Sequence, residues 1–140
     1  MEGNHTFPII VYAKSDIFLA PSYFGLGMTI VEALGSGLPI VVTDMFGLPE
    51  SVDKNGLIIK VKNKGKYEFR GPDIAEFDKF TDFIYEYNRE DIVKGIVDSI
   101  SKLVENPELR KKMGVESRKK YEREFSIECR NEKLKKIFDE

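Results

Sequence analysis

The residues of this chain best suited to chemistry lie close together, between Gly25 and Glu32. Gly25-Leu26-Gly27 places two residues without a Cβ within a stretch of three, so the backbone there can approach a diphosphate closely. Met28-Thr29-Ile30-Val31-Glu32 follows and reads as the start of a short helix, over residues 29–34. The N-terminus of a helix presents unpaired N–H groups and a partial positive charge, which suits a phosphate. At roughly 100° per residue, Ile30, Val31 and Leu34 fall on one face, and Met28, Thr29 and Glu32 on the other. Glu32 then reaches a ligand lying over the helix start, where a carboxylate can accept charge-assisted hydrogen bonds from both hydroxyls of a ribose. A second reading uses the same residues. Thr29-Ile30-Val31-Glu32 fits the S/T-x-x-E capping box, in which Glu32 only caps its own helix. The full G-x-G-x-x-G pattern does not follow the first strand, which argues against a generic dinucleotide binder.

The elements that must position these residues are also legible. Ile17-Phe18-Leu19-Ala20, closed by Pro21-Ser22, suits a buried strand of a parallel sheet. Residues 39–43 read as a second strand, with Pro39 at its first position, where a missing N–H is tolerated. Residues 56–61 form a third. Residues 8–14 read as a short helix or strand leading into Asp16, Gly35 and Gly37 end the helix, and a helical turn lies around residues 48–52. Strands alternating with helices predict an α/β fold with a partial Rossmann-like parallel sheet of about three strands. In such sheets ligands sit beyond the carboxyl ends of the strands, which is where the glycine loop falls.

Residues 62–88 break this rhythm and read as an insertion in a single domain spanning 1–140. Their aromatic residues form a small apolar cluster, with packing onto the parent domain favoured over an interface. A helix is expected from Asn88, capped by that residue and with Glu90 and Asp91 at its positive end. Asn106-Pro107 ends it. Two more helices are expected, over residues 108–123 and from residue 126 onward.

Composition removes several function classes. The chain has 140 residues, enough for one compact domain, and a formal net charge of −2, so nucleic acid is not an expected partner. Cys129 and His5 are the only residues of their types, which excludes an intrachain disulfide, a Cys/His zinc site and a credible Cys–His dyad. No apolar segment is long enough to span a membrane, and the first residues lack the pattern of a signal peptide, so the expected location is cytoplasmic. Residues 102–140 carry 12 Lys/Arg and 9 Asp/Glu, a net +3. A solvated face is the first reading of this tail, and peripheral contact with an anionic membrane surface is the second.

The segment 15–51 resembles the donor-site signature of retaining GT-B glycosyltransferases of the glycogen-synthase and sucrose-synthase type. The resemblance rests on Ser15-Asp16-Ile17-Phe18-Leu19-Ala20-Pro21-Ser22, on Gly25-Leu26-Gly27-Met28, and on Val31-Glu32-Ala33-Leu34-Gly35-Ser36-Gly37-Leu38-Pro39-Ile40-Val41-Val42-Thr43. It continues through Gly47-Leu48-Pro49-Glu50-Ser51-Val52 and Asn55-Gly56-Leu57-Ile58-Ile59, and returns from Pro107 to Ser126. It implies a nucleotide-sugar site at Gly25, Leu26, Gly27, Met28, Thr29 and Glu32. In that site Glu32 holds the nucleotide ribose and the amides of residues 27–29 face the diphosphate. It also implies a UDP-, ADP- or GDP-linked sugar as donor substrate, with no cofactor and no catalytic metal. The helix N-terminus and basic side chains stabilise the leaving diphosphate in such enzymes.

The sequence departs from the family pattern in ways that bear on activity. The family carries two glutamates separated by seven residues. Counting back from Glu32, the first falls on Phe24, which cannot accept a sugar hydroxyl. The interval from Pro21 to Glu32 is also one residue short. The family's basic phosphate-gripping pair and its acceptor domain precede the part matched here. The expectation is therefore a donor-domain fragment, incomplete alone and with no catalytic residue assigned, that works within a longer protein or with a partner subunit. Its open sheet edge predicts self-association. The alternative is a non-catalytic interaction module, a pseudo-glycosyltransferase that keeps the fold and binds a partner through residues 67–87.

Overall fold

The computed structural model describes residues 6–21, 27–68 and 74–139. Three strands, β1 (Phe18–Ala20), β2 (Ile40–Thr43) and β3 (Gly56–Ile59), form a parallel sheet in the order β1-β2-β3. Phe18 lies opposite Ile40, and Ile40 opposite Gly56. The α/β class with its three-stranded parallel sheet is thus observed. All four residues of β2 have 0% exposure. A central parallel strand is covered on both faces, so it reads as a continuous apolar run and not as an alternation. The pleat still sorts its side chains by face. Ile40 and Val42 join one core cluster with Ile30, Leu34 and Leu48, while Val41 joins the other with Ile59, Leu103 and Met113. β1 forms an edge of the sheet, and its middle residue Leu19 is exposed.

Five helices accompany the sheet among the described residues: α1 (Thr6–Ala13), α2 (Met28–Gly35), α3 (Ile74–Glu105), α4 (Pro107–Glu124) and α5 (Ile127–Phe138). The last two begin with side-chain caps. Asn106 accepts from the Leu109 N–H at 2.9 Å, with Pro107 at the first helical position, and Ser126 accepts from the Cys129 N–H at 3.1 Å. α2 ends in a Schellman turn. The Gly37 N–H bonds the Leu34 carbonyl at 3.0 Å and the Leu38 N–H bonds the Ala33 carbonyl at 3.1 Å. This geometry puts Gly37 at φ +72°, a left-handed conformation that favours glycine.

α4 clamps that turn. The Ser117 hydroxyl donates to the Leu38 carbonyl, and the Arg118 guanidinium donates to the Gly35 carbonyl at 2.6 Å. The Tyr121 ring lies against the Cα of Gly35, so close that a Cβ there would meet it at 3.2 Å. Gly114 meanwhile brings the α4 backbone against the carbonyl of Gly37. The orientation of α2 is thus set by a helix that follows it by some eighty residues.

The helix expected from Asn88 begins earlier, at Ile74, and runs unbroken to Glu105. Asn88 is therefore no cap. It is 1% exposed in mid-helix, and neither polar atom of its side chain has a hydrogen-bond partner. Such burial typically costs about 1–3 kcal/mol. The helix continues through this point because the apolar face does: Phe80, Ile84 and Ile92, at four- and eight-residue steps, all enter the main core. Tyr67 and Phe83 pack on the same cluster, and Tyr67 meets the Phe80 ring edge-on at 5.3 Å between centroids. Tyr67, Phe80 and Phe83 thus belong to the core of the sheet domain, whereas Tyr85 and Tyr87 are exposed and Phe69 lies outside the described residues.

A buried cation ties α4 to the loop before β3. Lys120 is 5% exposed, and its Nζ pairs with Asp53 at 3.1 Å and Glu124 at 3.2 Å. The hydrogen bond from Lys120, reinforced by its charge and that of Arg123, holds the Asp53 carboxyl below its usual value of 3.8. The folded state thus takes up a proton at Asp53 less readily than the unfolded chain. The stabilisation is complete above about pH 4 and is lost as the pH falls through the lowered folded value. Denaturant midpoints measured at pH 6 and pH 3 should therefore differ less in Asp53→Asn than in the parent chain. Because the Asp53 side chain is more than half exposed, the difference is a modest one.

Candidate functional site

The carboxyl side of the sheet carries the residues singled out from the sequence. Gly27 is the N-cap of α2, with extended backbone at φ −76° and ψ 159°. It has no side chain to bond the first-turn amides. Met28, Thr29 and Glu32 are exposed and Ile30 and Leu34 buried, as helical spacing predicts, but Val31, expected on the core face, is half-buried beside Glu32, and Ala33 takes the core position. Gly25, Leu26 and Phe24 lie outside the described residues.

The capping box does not form. It needs Thr29 as the N-cap, but the helix starts at Met28 and Thr29 sits inside its first turn. Glu32 turns outward, and its Oε2 accepts from the Tyr12 hydroxyl at 3.1 Å. Burial, and then the bond to Glu32, push the Tyr12 phenol above its ordinary value, so it remains a donor. Tyr12 in turn stands on Phe18 of β1, edge to face at 6.1 Å. α1 and β1 thereby fix the height and direction of the Glu32 carboxylate. Glu32 opens onto a groove of about 660 Å³ whose apolar wall includes Val31, Tyr121 and Phe125, and Arg118 and Arg130 also line it. An acceptor carboxylate, guanidinium donors and flat apolar surface meet there.

Two other residues at this end of the sheet take on definite roles. Asp44, just past β2, is structural: its Oδ1 accepts from the Val61 N–H at 2.8 Å, which joins the chain after β3 to the end of β2. Phe46 has φ 42°, uncommon for a bulky residue, and is half exposed with its ring edge-on to Phe80 at 5.6 Å. Nothing in the local sequence announces Phe46, because a phenylalanine carries no signal for a left-handed backbone. The Tyr12–Glu32 bond was equally hidden, since neither periodicity nor motif joins residues 20 apart.

The glycine N-cap and the outward-facing glutamate thus follow the first of three short parallel strands. In sequence, residues 8–68 match the family described as "Glycosyl transferases group 1". A stretch of 49 residues is 39% identical to the O-antigen chain mannosyltransferase B of Escherichia coli. That stretch is 34% of this chain and 13% of the mannosyltransferase, so the chain matches a small part of its relative. The matched family segment contains all three strands, α2 and all but the first two residues of α1, and therefore every residue of the candidate site that α2 presents.

Proposed function

We propose that residues 15–51 form the nucleotide-binding end of a donor site for glycosyl transfer from a nucleotide-sugar to an acceptor hydroxyl. The observation that carries this reading is Glu32. It is not consumed as a helix cap, yet it is held outward by Tyr12 one turn after a helix N-terminus whose N-cap, Gly27, has no side chain. In this reading the amides of residues 27–29 meet the diphosphate and Glu32 accepts from the ribose hydroxyls. Gly25 and Leu26 complete the loop around the phosphates. The site works in a retaining GT-B arrangement, in which the acceptor side comes from the rest of a longer protein or from a partner chain. A strand supplied by that partner, or by a second copy, pairs with the open edge of β1.

Titration of the chain with UDP-, ADP- and GDP-linked sugars, followed by amide chemical shifts, tests the reading. At least one of them at millimolar concentration should shift the resonances of Gly27, Met28, Thr29 and Glu32. Glu32→Gln should weaken that binding about tenfold, as expected for loss of a charge-assisted hydrogen bond. Tyr12→Phe should weaken it less, because it removes only the group that positions Glu32. Silence at these residues with all three donors would refute the proposal.

A further inference from the structure

Phe46 occupies a position whose backbone is best suited to glycine. It is the first central residue of the turn that leaves β2, closed by the Leu48 N–H on the Met45 carbonyl at 3.1 Å. Its φ of 42°, followed by Gly47 at φ −75° and ψ −1°, is the pattern of a type II′ turn, which favours glycine, asparagine or aspartate at that first position. A bulky side chain there strains the backbone, and such strain gathers at binding sites. Gly47 stands one place too late to relieve it. Core packing uses part of the side chain: the ring of Phe46 meets that of Phe80 edge-on at 5.6 Å, yet Phe46 remains 51% exposed.

The fold sets this ring beside the first turn of α2. β1 and β2 are adjacent parallel strands with Ala20 opposite Val42, about 4.8 Å apart. α2 follows the carboxyl end of β1, and Phe46 follows the carboxyl end of β2. Ile30, in the first turn of α2, shares one core cluster with Met45, Leu48 and Phe80, the residues around Phe46. Glu32 is held on the other flank, since Tyr12 stands on Phe18 of the edge strand β1. A nucleotide-sugar carries its ribose and its sugar at opposite ends of the diphosphate. With the ribose at Glu32 and the diphosphate at the amides of residues 27–29, the sugar falls toward β2, on the side of Phe46.

We infer that Phe46 is the sugar-facing wall of the donor site and that its ring stacks on the C–H face of a neutral hexose. The C–H bonds of a pyranose present partial positive charge to one face, which complements the negative face of an aromatic ring. This contact reads the sugar and not the nucleotide, so the site prefers the sugar-linked donor over the bare nucleoside diphosphate. The inference rests on the donor-site reading and names the part of the ligand that reading leaves unheld.

Binding of UDP, ADP and GDP to the full chain, compared with UDP-glucose, ADP-glucose and GDP-mannose, tests it. Nuclear Overhauser contacts should join the ring protons of Phe46 to C–H protons of the sugar in the donor that binds. Phe46→Gly suits the turn and should keep the fold by circular dichroism. It should weaken binding of that donor about five- to tenfold, as for a lost aromatic contact, while affinity for the bare diphosphate changes less than about twofold. Phe46→Tyr should keep the preference for the sugar-linked form. Shifts at residues 27–32 without contacts from Phe46 to the sugar, or an equal loss for both ligands in Phe46→Gly, would overturn this inference and leave the donor site standing. Silence at residues 27–32 with all six ligands would overturn both.

Discussion

Replacing Gly56 by alanine is expected to cost roughly 3–5 kcal/mol, enough to unfold a domain of ordinary stability or leave it barely folded. A Cβ on Gly56 would lie 2.1 Å from the carbonyl oxygen of Ile40 and 3.0 Å from its carbonyl carbon. These are backbone atoms of the central strand, and they cannot swing aside as a side chain would. Ile40 is held on both sides, paired with Phe18 of β1 and with Gly56 itself, and its N–H bonds the Asn55 carbonyl at 3.1 Å. Relief therefore requires β3 to separate from β2. Gly95→Ala supplies the contrast. There the Cβ would press on the Ile59 side chain, whose Cγ2 lies 2.5 Å away and can yield in part, and the helix gains up to about 1 kcal/mol of propensity. Urea melts followed by circular dichroism should show Gly56→Ala as the far more damaging change. Equal midpoints for the two variants would contradict the close approach of β3 to β2.

Gly114→Ala is the second large effect, and it should reach the candidate site. Alanine is the better helix former, so on α4 alone the change should stabilise by up to about 1 kcal/mol. The added Cβ, however, would meet the Gly37 carbonyl oxygen at 2.4 Å. Gly37 cannot retreat easily, because its left-handed backbone closes the Schellman turn that ends α2. α4 must lift, and the Ser117–Leu38 and Arg118–Gly35 bonds lengthen or break. A net loss of about 2 kcal/mol follows. Hydrogen exchange should locate it: the amides of α2 should lose protection more than those of β2. If α2 keeps its protection in the variant, α4 is not what holds it.

The sheet was legible because its signals are local. Residues 17–20, 39–43 and 56–61 are short apolar runs bounded by turn formers, and each contains a strand. Gly37 was readable for the same reason, since a helix-ending turn is chemistry between neighbours; Asn106 was read as a helix end, and its second role as the cap of α4 was not. The start of α3 was not. Asn88 followed by Glu90 and Asp91 is a sound capping signal, but the core interface of Phe80 and Ile84 carries the helix straight through it. Within the candidate site, the two faces of α2 followed from periodicity except at Val31, which lines the groove beside Glu32. Whether Glu32 caps its helix or faces outward did not, because the answer depends on a helix start shifted by a residue or two and on Tyr12, twenty positions upstream. The grip of α4 on α2 joins residues 79 and 83 apart, beyond the reach of any local pattern.

That grip also bears on how the protein is made. The strand pairings join consecutive strands, so β1, β2 and β3 can assemble as they are synthesised. The bonds from Ser117 and Arg118 close a loop of some eighty residues, which is the entropically demanding step and comes after local contacts form. On a ribosome, residues 27–32 emerge some eighty residues ahead of their clamp, which forms only when residue 118 has left the exit tunnel. The nascent chain thus carries the N-terminal end of α2 unsecured until some eighty further residues have been made, and this end of the helix settles only then.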